Sequence, residues 1–458
     1  MDKINLLQQR KQKVLQIGKD IRKDIESLID EDSFVEFSTF SFSENEFYGE
    51  EAEGEGVVTG FATIDGYPFY IVAQNGAVLS GGVSKANCEK IAKCLNQAEK
   101  SSTPVIYLLS SLGVRIGEGV NVLEGLASLI LKASQLKGTV PQYLVVNGEV
   151  YGQLALLSGL CDFTFFLEGK SVLTANSPLV ISAKSGVNLK NTEVGGASAL
   201  KNAQLCSFTV KNISDVKEKI VKINELLLSA VTENEDLNVS CPQLDKKADY
   251  NAILKVFDDN SVVEIGGTYA QEVKCILARI GGIAVAVTVF DGKDGVKLNA
   301  QNVRKLKDFA EFVCCYNLPY ITFVNTLGIQ ADMTVNDSLV IKELGEYVSL
   351  LDCIDSGKIS VIYGKAVGLG YTVFGAKNMG YDYSFAFADA KIALFDSVQG
   401  AEIEFASEKK ADKEKLVIKY ADENSDPINA AKGGYIDNII QPSFVRQYLI
   451  ASLQMLIK

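Results

Sequence analysis

The chain of 458 residues contains no histidine and no tryptophan. Without imidazole, a Ser-His-Asp triad, a Cys-His pair and the His-bearing zinc sites are excluded. Any chemistry must use carboxylates, lysine, tyrosine, cysteine, backbone amides or a borrowed cofactor. Nine cysteines occur without a Cys-x-x-Cys, and only Cys314 and Cys315 stand close together. Neither a zinc ribbon nor a disulfide framework is expected, no metal site is expected, and the thiols are read as reduced. No apolar run approaches the roughly 18 residues of a membrane span, and the opening residues lack a signal peptide's apolar stretch. The expectation is a cytoplasmic protein with no direct membrane insertion. Positive charge is short as well: 45 Lys and Arg against 57 Asp and Glu give a net charge of −12, with a pI near 4.9, which disfavours nucleic acid as a partner. What the chain does have is apolar mass. Hydrophobic residues make up 47% and mean hydropathy is +0.12, enough to bury a sizeable core and leave a surplus for a subunit interface.

The chain also repeats itself. Thr103-Pro104-Val105-Ile106-Tyr107 and Ser110-Ser111-Leu112-Gly113-Val114 return as Leu318-Pro319-Tyr320-Ile321-Thr322 and Asn325-Thr326-Leu327-Gly328-Ile329, an offset of 215 from Pro104 to Pro319. Val145-Val146-Asn147-Gly148-Glu149-Val150-Tyr151-Gly152 returns as Val361-Ile362-Tyr363-Gly364-Lys365-Ala366-Val367-Gly368, an offset of 216 that keeps both glycines. Asp32-Ser33-Phe34-Val35-Glu36-Phe37 reappears as Asn260-Ser261-Val262-Val263-Glu264-Ile265. Three segments in the same order imply two homologous halves, 1–240 and 241–458, with residues 237–250 as the linker.

Each half reads alike. A turn and short strand lead into a hairpin, as at Phe61 to Ile64 and Tyr67 to Ala73 around Asp65-Gly66. Cys88, Ile91, Leu95 and Ala98, and again Leu306, Phe309 and Val313, are spaced for one helix face. Buried strands follow at Val105 to Leu109 and Ile321 to Val324, then at Tyr143 to Val146 and Ser360 to Tyr363. The latter pair is expected to end at Gly148 and Gly364, before helices opening near Gly152 and Gly368. Strands alternating with helices make the chain α/β. Unpaired amides at a helix N-terminus bind oxyanions, and the candidates are those of Gly152 and Gln153 and of Leu369 and Gly370. The same glycines would equally permit close strand-to-helix packing.

Other features fail as motifs. Gly169-Lys170-Ser171 lacks the first glycine of a P-loop, Thr164 standing in its place. Gly368-Leu369-Gly370 has Val373 where a dinucleotide fingerprint needs its third glycine. Glu118 and Glu149 form a weak carboxylate pair at best. The acidic residues 44–56 read as a solvated loop, and Lys11, Lys13, Lys19, Arg22 and Lys23 as the wet side of a helix.

Val146 to Gln153 followed by Cys161-Asp162 resembles the oxyanion-hole segment of the crotonase superfamily. Two such units, opened by Ser33-Phe34-Val35-Glu36-Phe37, resemble the carboxyltransferase (beta) subunit of biotin-dependent acyl-CoA carboxylases and decarboxylases. Thr59 to Gly66, Gly81-Gly82, Ala86 to Ile91, Gly113-Val114-Arg115-Ile116-Gly117-Glu118-Gly119, Lys365 to Tyr371, Asp426-Pro427 and Ala430 to Pro442 continue the resemblance in order. It departs where the family's Gly-Gly becomes Gly152-Gln153, its Gly-Ala becomes Leu369-Gly370, and Leu112 and Leu327 replace small residues.

The resemblance implies two tandem crotonase-like ββα-spiral domains and transfer of a carboxyl group between carrier-bound biotin and the α-carbon of a short acyl-CoA such as propionyl-CoA or acetyl-CoA. The first half would bind acyl-CoA at Gly113, Val114, Arg115 and Gly148, with the Gly152 and Gln153 amides on the thioester oxygen. The second would bind biotin at Gly368, Gly328 and Ile329, with the Leu369 and Gly370 amides on the ureido oxygen. Because biotin itself supplies the base, the chemistry suits a chain without histidine. Implied partners are a biotin carboxyl carrier protein, a biotin carboxylase or membrane decarboxylase subunits, and further copies of this chain as a homodimer or homohexamer. The decarboxylase direction in a sodium-translocating complex, and a non-catalytic scaffold with a degenerate site, are the alternatives.

Overall fold

A computed structural model of the chain describes residues 3–41, 54–200, 203–228, 238–329, 336–407 and 412–457. Its backbone separates into two compact units, Met1–Val221 and Lys222–Lys458. The division falls inside the helix Ile213–Leu228. Residues in the expected linker belong to the second core, where Cys241 and Leu244 are buried.

In the first unit the strands are β1 (Val35–Phe37), β2 (Val57–Ile64), β3 (Tyr67–Gln74), β4 (Val105–Ser111), β5 (Gln142–Tyr151), β6 (Phe163–Leu167), β7 (Val172–Thr174) and β8 (Phe208–Val210). The sheet runs β1-β2-β3-β4-β5-β6-β8, with β7 paired to β5. The opening hairpin is antiparallel, and pairing is parallel from β3 onward. The second unit repeats this with β9 (Val263–Ile265), β10 (Val273–Ile280), β11 (Ile283–Phe290), β12 (Val296–Leu298), β13 (Tyr320–Ile329), β14 (Lys358–Val367), β15 (Tyr383–Phe387), β16 (Lys391–Ala393) and β17 (Asn438–Ile440). Here the order is β17-β15-β14-β13-β11-β10-β9, with β12 on β13 and β16 on β14. The duplication therefore extends to strand order. It extends to local detail too: the Asp30 carboxylate accepts from the amides of Asp65 and Gly66 in one hairpin turn, and Asp258 does the same for Gly281 and Gly282 in the other.

One strand expectation is corrected. β5 and β14 do not end at Gly148 and Gly364 but run on to Tyr151 and Val367, changing partner on the way. β5 pairs with β6 through Val146 and with β7 from Glu149. The two glycines are strand-interior residues. A Cβ at Gly148 would lie 2.6 Å from Ser110 Oγ, and one at Gly364 would lie 2.4 Å from Asn325 Oδ1. At these positions close packing explains the glycine.

The crossover helices cover one face of the first sheet. Ile91, Leu95 and Ala98 of the helix Lys85–Ser101 and Leu129 and Ala133 of Val120–Leu136 are fully buried against Val105, Tyr107 and Leu109 of β4. Each large apolar side chain so buried contributes about 1.5–3 kcal/mol. Helix starts are fixed by caps in both halves. Ser84 Oγ accepts from the Asn87 amide, and Asn299 Oδ1 accepts from the Asn302 amide.

One turn further along each helix lies a buried lysine. Lys90 Nζ donates to the carbonyls of Gly54 (3.0 Å) and Val57 (2.6 Å), and Lys305 Nζ to those of Gly266 (3.0 Å) and Tyr269 (2.7 Å). Burial pushes Lys90 down to about 8 and lowers Lys305 as well. Between about pH 8 and 10.5 the unfolded chain holds a proton on Lys90 that the folded chain has lost, so stability rises with pH across this window and falls as pH drops toward 8. Relative to Lys90→Met, the wild type is expected to gain about 1 kcal/mol between pH 7 and 9. Denaturant midpoints of both proteins at each pH measure this, and a pH-independent difference between them excludes it.

Candidate functional site

In each unit two adjacent parallel strands end together, and ligands of open α/β sheets bind at such carboxyl ends. The first unit joins β4 to β5 up to the pair Ser111 and Val150. The second joins β13 to β14 up to Thr326 and Ala366.

Beyond Ser111 the chain turns through Leu112 and Gly113, the latter at φ +129. Ser111 Oγ accepts from the Gly113 amide at 3.3 Å. Val83 then bridges Val114, its amide donating to the Gly113 carbonyl and its carbonyl accepting from the Arg115 amide, both at 2.9 Å. Amide directions alternate along an extended chain, so the Val114 N–H points away from Val83. The second unit carries the same construction. Thr326 Oγ1 accepts from the Gly328 amide at 3.1 Å and donates to the Val296 carbonyl at 2.8 Å. Leu298 pairs with Ile329, as Val83 does with Val114.

The neighbouring strand supplies the second set of amides. Tyr151 caps a 3₁₀ segment, Gly152–Gly159, whose first residue has φ +78. The first 3₁₀ bond runs from the third residue back to the cap, so the N–H groups of Gly152 and Gln153 have no intrahelical partner. In the second unit Gly368, at φ +53, caps the α-helix Leu369–Phe374, whose first bond runs from the Thr372 amide to the Gly368 carbonyl at 3.1 Å. That leaves the amides of Leu369, Gly370 and Tyr371 without intrahelical partners. This terminus packs tightly on the neighbouring turn: a Cβ at Gly370 would come within 2.6 Å of Thr326 Cγ2 and 3.2 Å of the Gly328 nitrogen.

Gly113, Val114, Gly152 and Gln153 thus share one strand-end region, and Gly328, Ile329, Gly368, Leu369 and Gly370 share the other. The departures Gln153 and Leu369 fall next to the left-handed glycines rather than on them. Their side chains are exposed, Leu369 to 48%. Gly113 and Gly152 have nothing within 4 Å of where a Cβ would be, which leaves room at the first site.

Two residues expected on the substrate side also have contacts within the framework. Gly148 is filled by Ser110, as above. Arg115 is 4% exposed, its Nη1 on Glu55 Oε2 at 2.9 Å and its Nε on the Gly82 carbonyl at 3.0 Å. Glu55 corrects a further expectation. The described end of the acidic stretch is not solvated, since Glu55 is 0% exposed; residues 42–53 lie outside the described residues. Sequence reasoning missed Glu55, Lys90 and Lys305, although Asn87-x-x-Lys90 and Asn302-x-x-Lys305 recur at the offset of 215 and were a signal. Glu118 and Glu149 are engaged separately, Glu118 by the Lys85 amide (2.8 Å) and Glu149 by Asn191 Nδ2 (2.6 Å). Burial raises the Cys161 thiol well above its ordinary range, which keeps it neutral and a poor nucleophile. Among the described residues no group of His, Cys, Asp and Glu is arranged to hold a metal ion.

Each half thus presents an amide-lined strand end whose unspent N–H groups suit an oxygen that gains negative charge. Known proteins resemble the chain in sequence and in fold. The chain is 27% identical to the carboxyltransferase subunit of propionyl-CoA carboxylase from Haloferax mediterranei, over 95% of this chain and 90% of that protein. It is also 27% identical to the alpha subunit of methylmalonyl-CoA decarboxylase from Veillonella parvula, over 95% and 89%. The fold matches the transcarboxylase 12S structure, a hexamer assembly with methylmalonyl-coenzyme A and methylmalonic acid bound, at a TM-score of 0.92 and 23% identity over 99% of this chain and 95% of that one. The carboxyl transferase domain model matches residues 14–458, and the chain belongs to that family.

Proposed function

We propose that this carboxyltransferase moves a carboxyl group between carrier-bound biotin and the α-carbon of a short-chain acyl-CoA of the propionyl-CoA or acetyl-CoA kind, the first half serving acyl-CoA and the second biotin. The observation that carries the reading is the recurrence of one amide-lined strand end in each half, because the reaction develops negative charge on two oxygens, one thioester and one ureido. The amides of Val114, Gly152 and Gln153 hold the thioester oxygen, and those of Leu369 and Gly370, beside Ile329, the ureido oxygen. A single well-placed donor is typically worth about 2.7–4 kcal/mol in such a site. The second site fits a flat ureido group, since unspent amides converge there and Gly328, Gly368 and Gly370 bring bare backbone to it. Carrier-bound biotin supplies the carboxyl group and the base. The chain's own part is to orient both reactants and hold their oxygens, which is consistent with the lack of histidine.

The similarity to a decarboxylase alpha subunit favours, as a second reading, the same step in reverse beside membrane decarboxylase subunits. Partners in either direction are a biotin carboxyl carrier protein and, for carboxylation, a biotin carboxylase, and the setting is the cytoplasm. No helix of the described residues is long and apolar enough to cross a membrane. Exposed apolar side chains support self-association: Leu179 (80% exposed) and Val180 on the helix Pro178–Ser185, and in the second half Val398 on the corresponding helix Ser397–Glu404 with Leu394 (71%) just before it. A homodimer or homohexamer follows, with a light-scattering mass at a multiple of 49.6 kDa.

Incubating the purified chain with a carboxylated carrier and propionyl-CoA or acetyl-CoA is expected to give the α-carboxylated thioester. If no short acyl-CoA accepts the group while the same carrier serves an authentic carboxyltransferase, the scaffold reading replaces this one.

A further inference from the structure

The two halves hold the segment that leads into their opening hairpin by the same device, with one addition in the first half. Lys90 clasps the carbonyls of Gly54 and Val57, and Lys305 those of Gly266 and Tyr269, three residues apart in each case. Between the clasped carbonyls the first half places Glu55, with φ +57 and no exposure. Its carboxylate accepts from Ser84 Oγ (2.7 Å) and Arg115 Nη1 (2.9 Å), and its carbonyl from Asn87 Nδ2 (2.7 Å) and Arg115 Nη2 (3.3 Å). The corresponding residue between Gly266 and Tyr269 is Gly267, and the residue corresponding to Arg115 at the offset of 215 is Gln330. The second half therefore builds the same clasp without this charge pair.

A buried ion pair is a poor stabiliser, because desolvation consumes most of its Coulombic gain. The second half shows that the lysine clasp itself does not require a charge pair at this place. What the pair does achieve is geometric. Arg115 follows Val114 directly, its amide is tied to the Val83 carbonyl (2.9 Å) and its Nε to the Gly82 carbonyl (3.0 Å). One guanidinium thus locks the segments at 55, 82–83 and 114–115 together, and the bidentate-capable fork fixes direction as well as distance. We propose that Glu55 and Arg115 are positioning residues for the first-half site, setting the direction in which the Val114 amide points. The inference rests on the assignment of that half to acyl-CoA only for its kinetic consequence.

The test uses Glu55→Gln and the double variant Glu55→Gln/Arg115→Gln in the full chain, the second of which removes both members of the buried ion pair together. Hydrogen exchange followed by mass spectrometry reads the amides of residues 112–115, with 105–111 and 366–371 as internal references. Exchange at 112–115 is expected to quicken at least about tenfold in both variants while the references stay as in the wild type. Unchanged exchange at 112–115 in a folded variant overturns the proposal. So does failure of both variants to fold, which would make the pair a structural requirement. The kinetic arm compares two half-reactions in the same preparation, solvent-deuterium exchange at the acyl-CoA α-carbon and decarboxylation of free carboxybiotin. Misdirection of one donor is expected to slow the first by about 10²-fold and leave the second within about twofold; an equal loss in both overturns the proposal, because a smaller folded fraction lowers both alike. A wild type with neither half-reaction defeats the functional assignment, and the exchange arm still decides the positioning role.

Discussion

Replacing Gln153 by proline is expected to leave the chain folded and slow acyl-CoA enolisation by about 10²–10³, roughly 2.7–4 kcal/mol of transition-state stabilisation. The 3₁₀ segment opens at Gly152 under the Tyr151 cap, so the Gln153 amide is one of two that the segment leaves unspent. Proline in a first helical turn removes that N–H without breaking a backbone bond. Gly152 is not a usable position for the same experiment. Its φ of +78 is out of reach of a ring fixed near −65°, so Gly152→Pro would report distortion rather than a missing donor. The measurement is α-proton exchange of propionyl-CoA in deuterated solvent without biotin, followed by mass spectrometry. Wild-type exchange in a folded Gln153→Pro protein removes this amide from the proposed site.

Leu369→Pro is expected to have the complementary effect, a loss of about 10²–10³ in decarboxylation of free carboxybiotin with α-proton exchange intact. Leu369 is the first residue of its helix, behind Gly368, and its side chain is half-exposed, so the ring displaces no core atom. Gly370→Pro does not give the same information. A carbon added there already meets Thr326 Cγ2 at 2.6 Å, and a loss of activity would then measure a clash. Equal damage to both half-reactions by either Gln153→Pro or Leu369→Pro contradicts the assignment of one substrate to each half.

Much of this geometry is legible in the chain. The offset of 215–216 located the helix openings at Gly152 and Gly368, and the helix faces built on Ile91 and Leu306 are buried as their spacing requires. Periodicity and repetition are one-dimensional signals, and folding preserves them because each half forms the same strand order from the same pattern. The ends of β5 and β14 were misplaced for a definite reason. A glycine in a strand looks the same in sequence whether it ends the strand or makes room for a side chain from its neighbour, and Ser110 and Asn325 decide the matter by contact. Glu55 was misplaced for a related one. In an acidic run every carboxylate has the same local claim to water, and only the approach of Arg115 and Ser84 gives one of them partners strong enough to offset complete burial.

The sequence by itself determined that the chemistry uses no imidazole, that the chain is a duplicated α/β protein, and that Gly152 and Gly368 stand at helix openings. These follow from composition, spacing and repetition, properties held within short stretches of chain. Only the tertiary structure decided that Gly148 packs against Ser110, that Arg115 is buried against Glu55 and the Gly82 carbonyl, and that left-handed φ falls on Gly113, Gly152, Gly328 and Gly368 while Gln153 and Leu369 are spared it. Each of those outcomes depends on atoms brought together across tens of residues, where distance and burial, not residue type, set the energy.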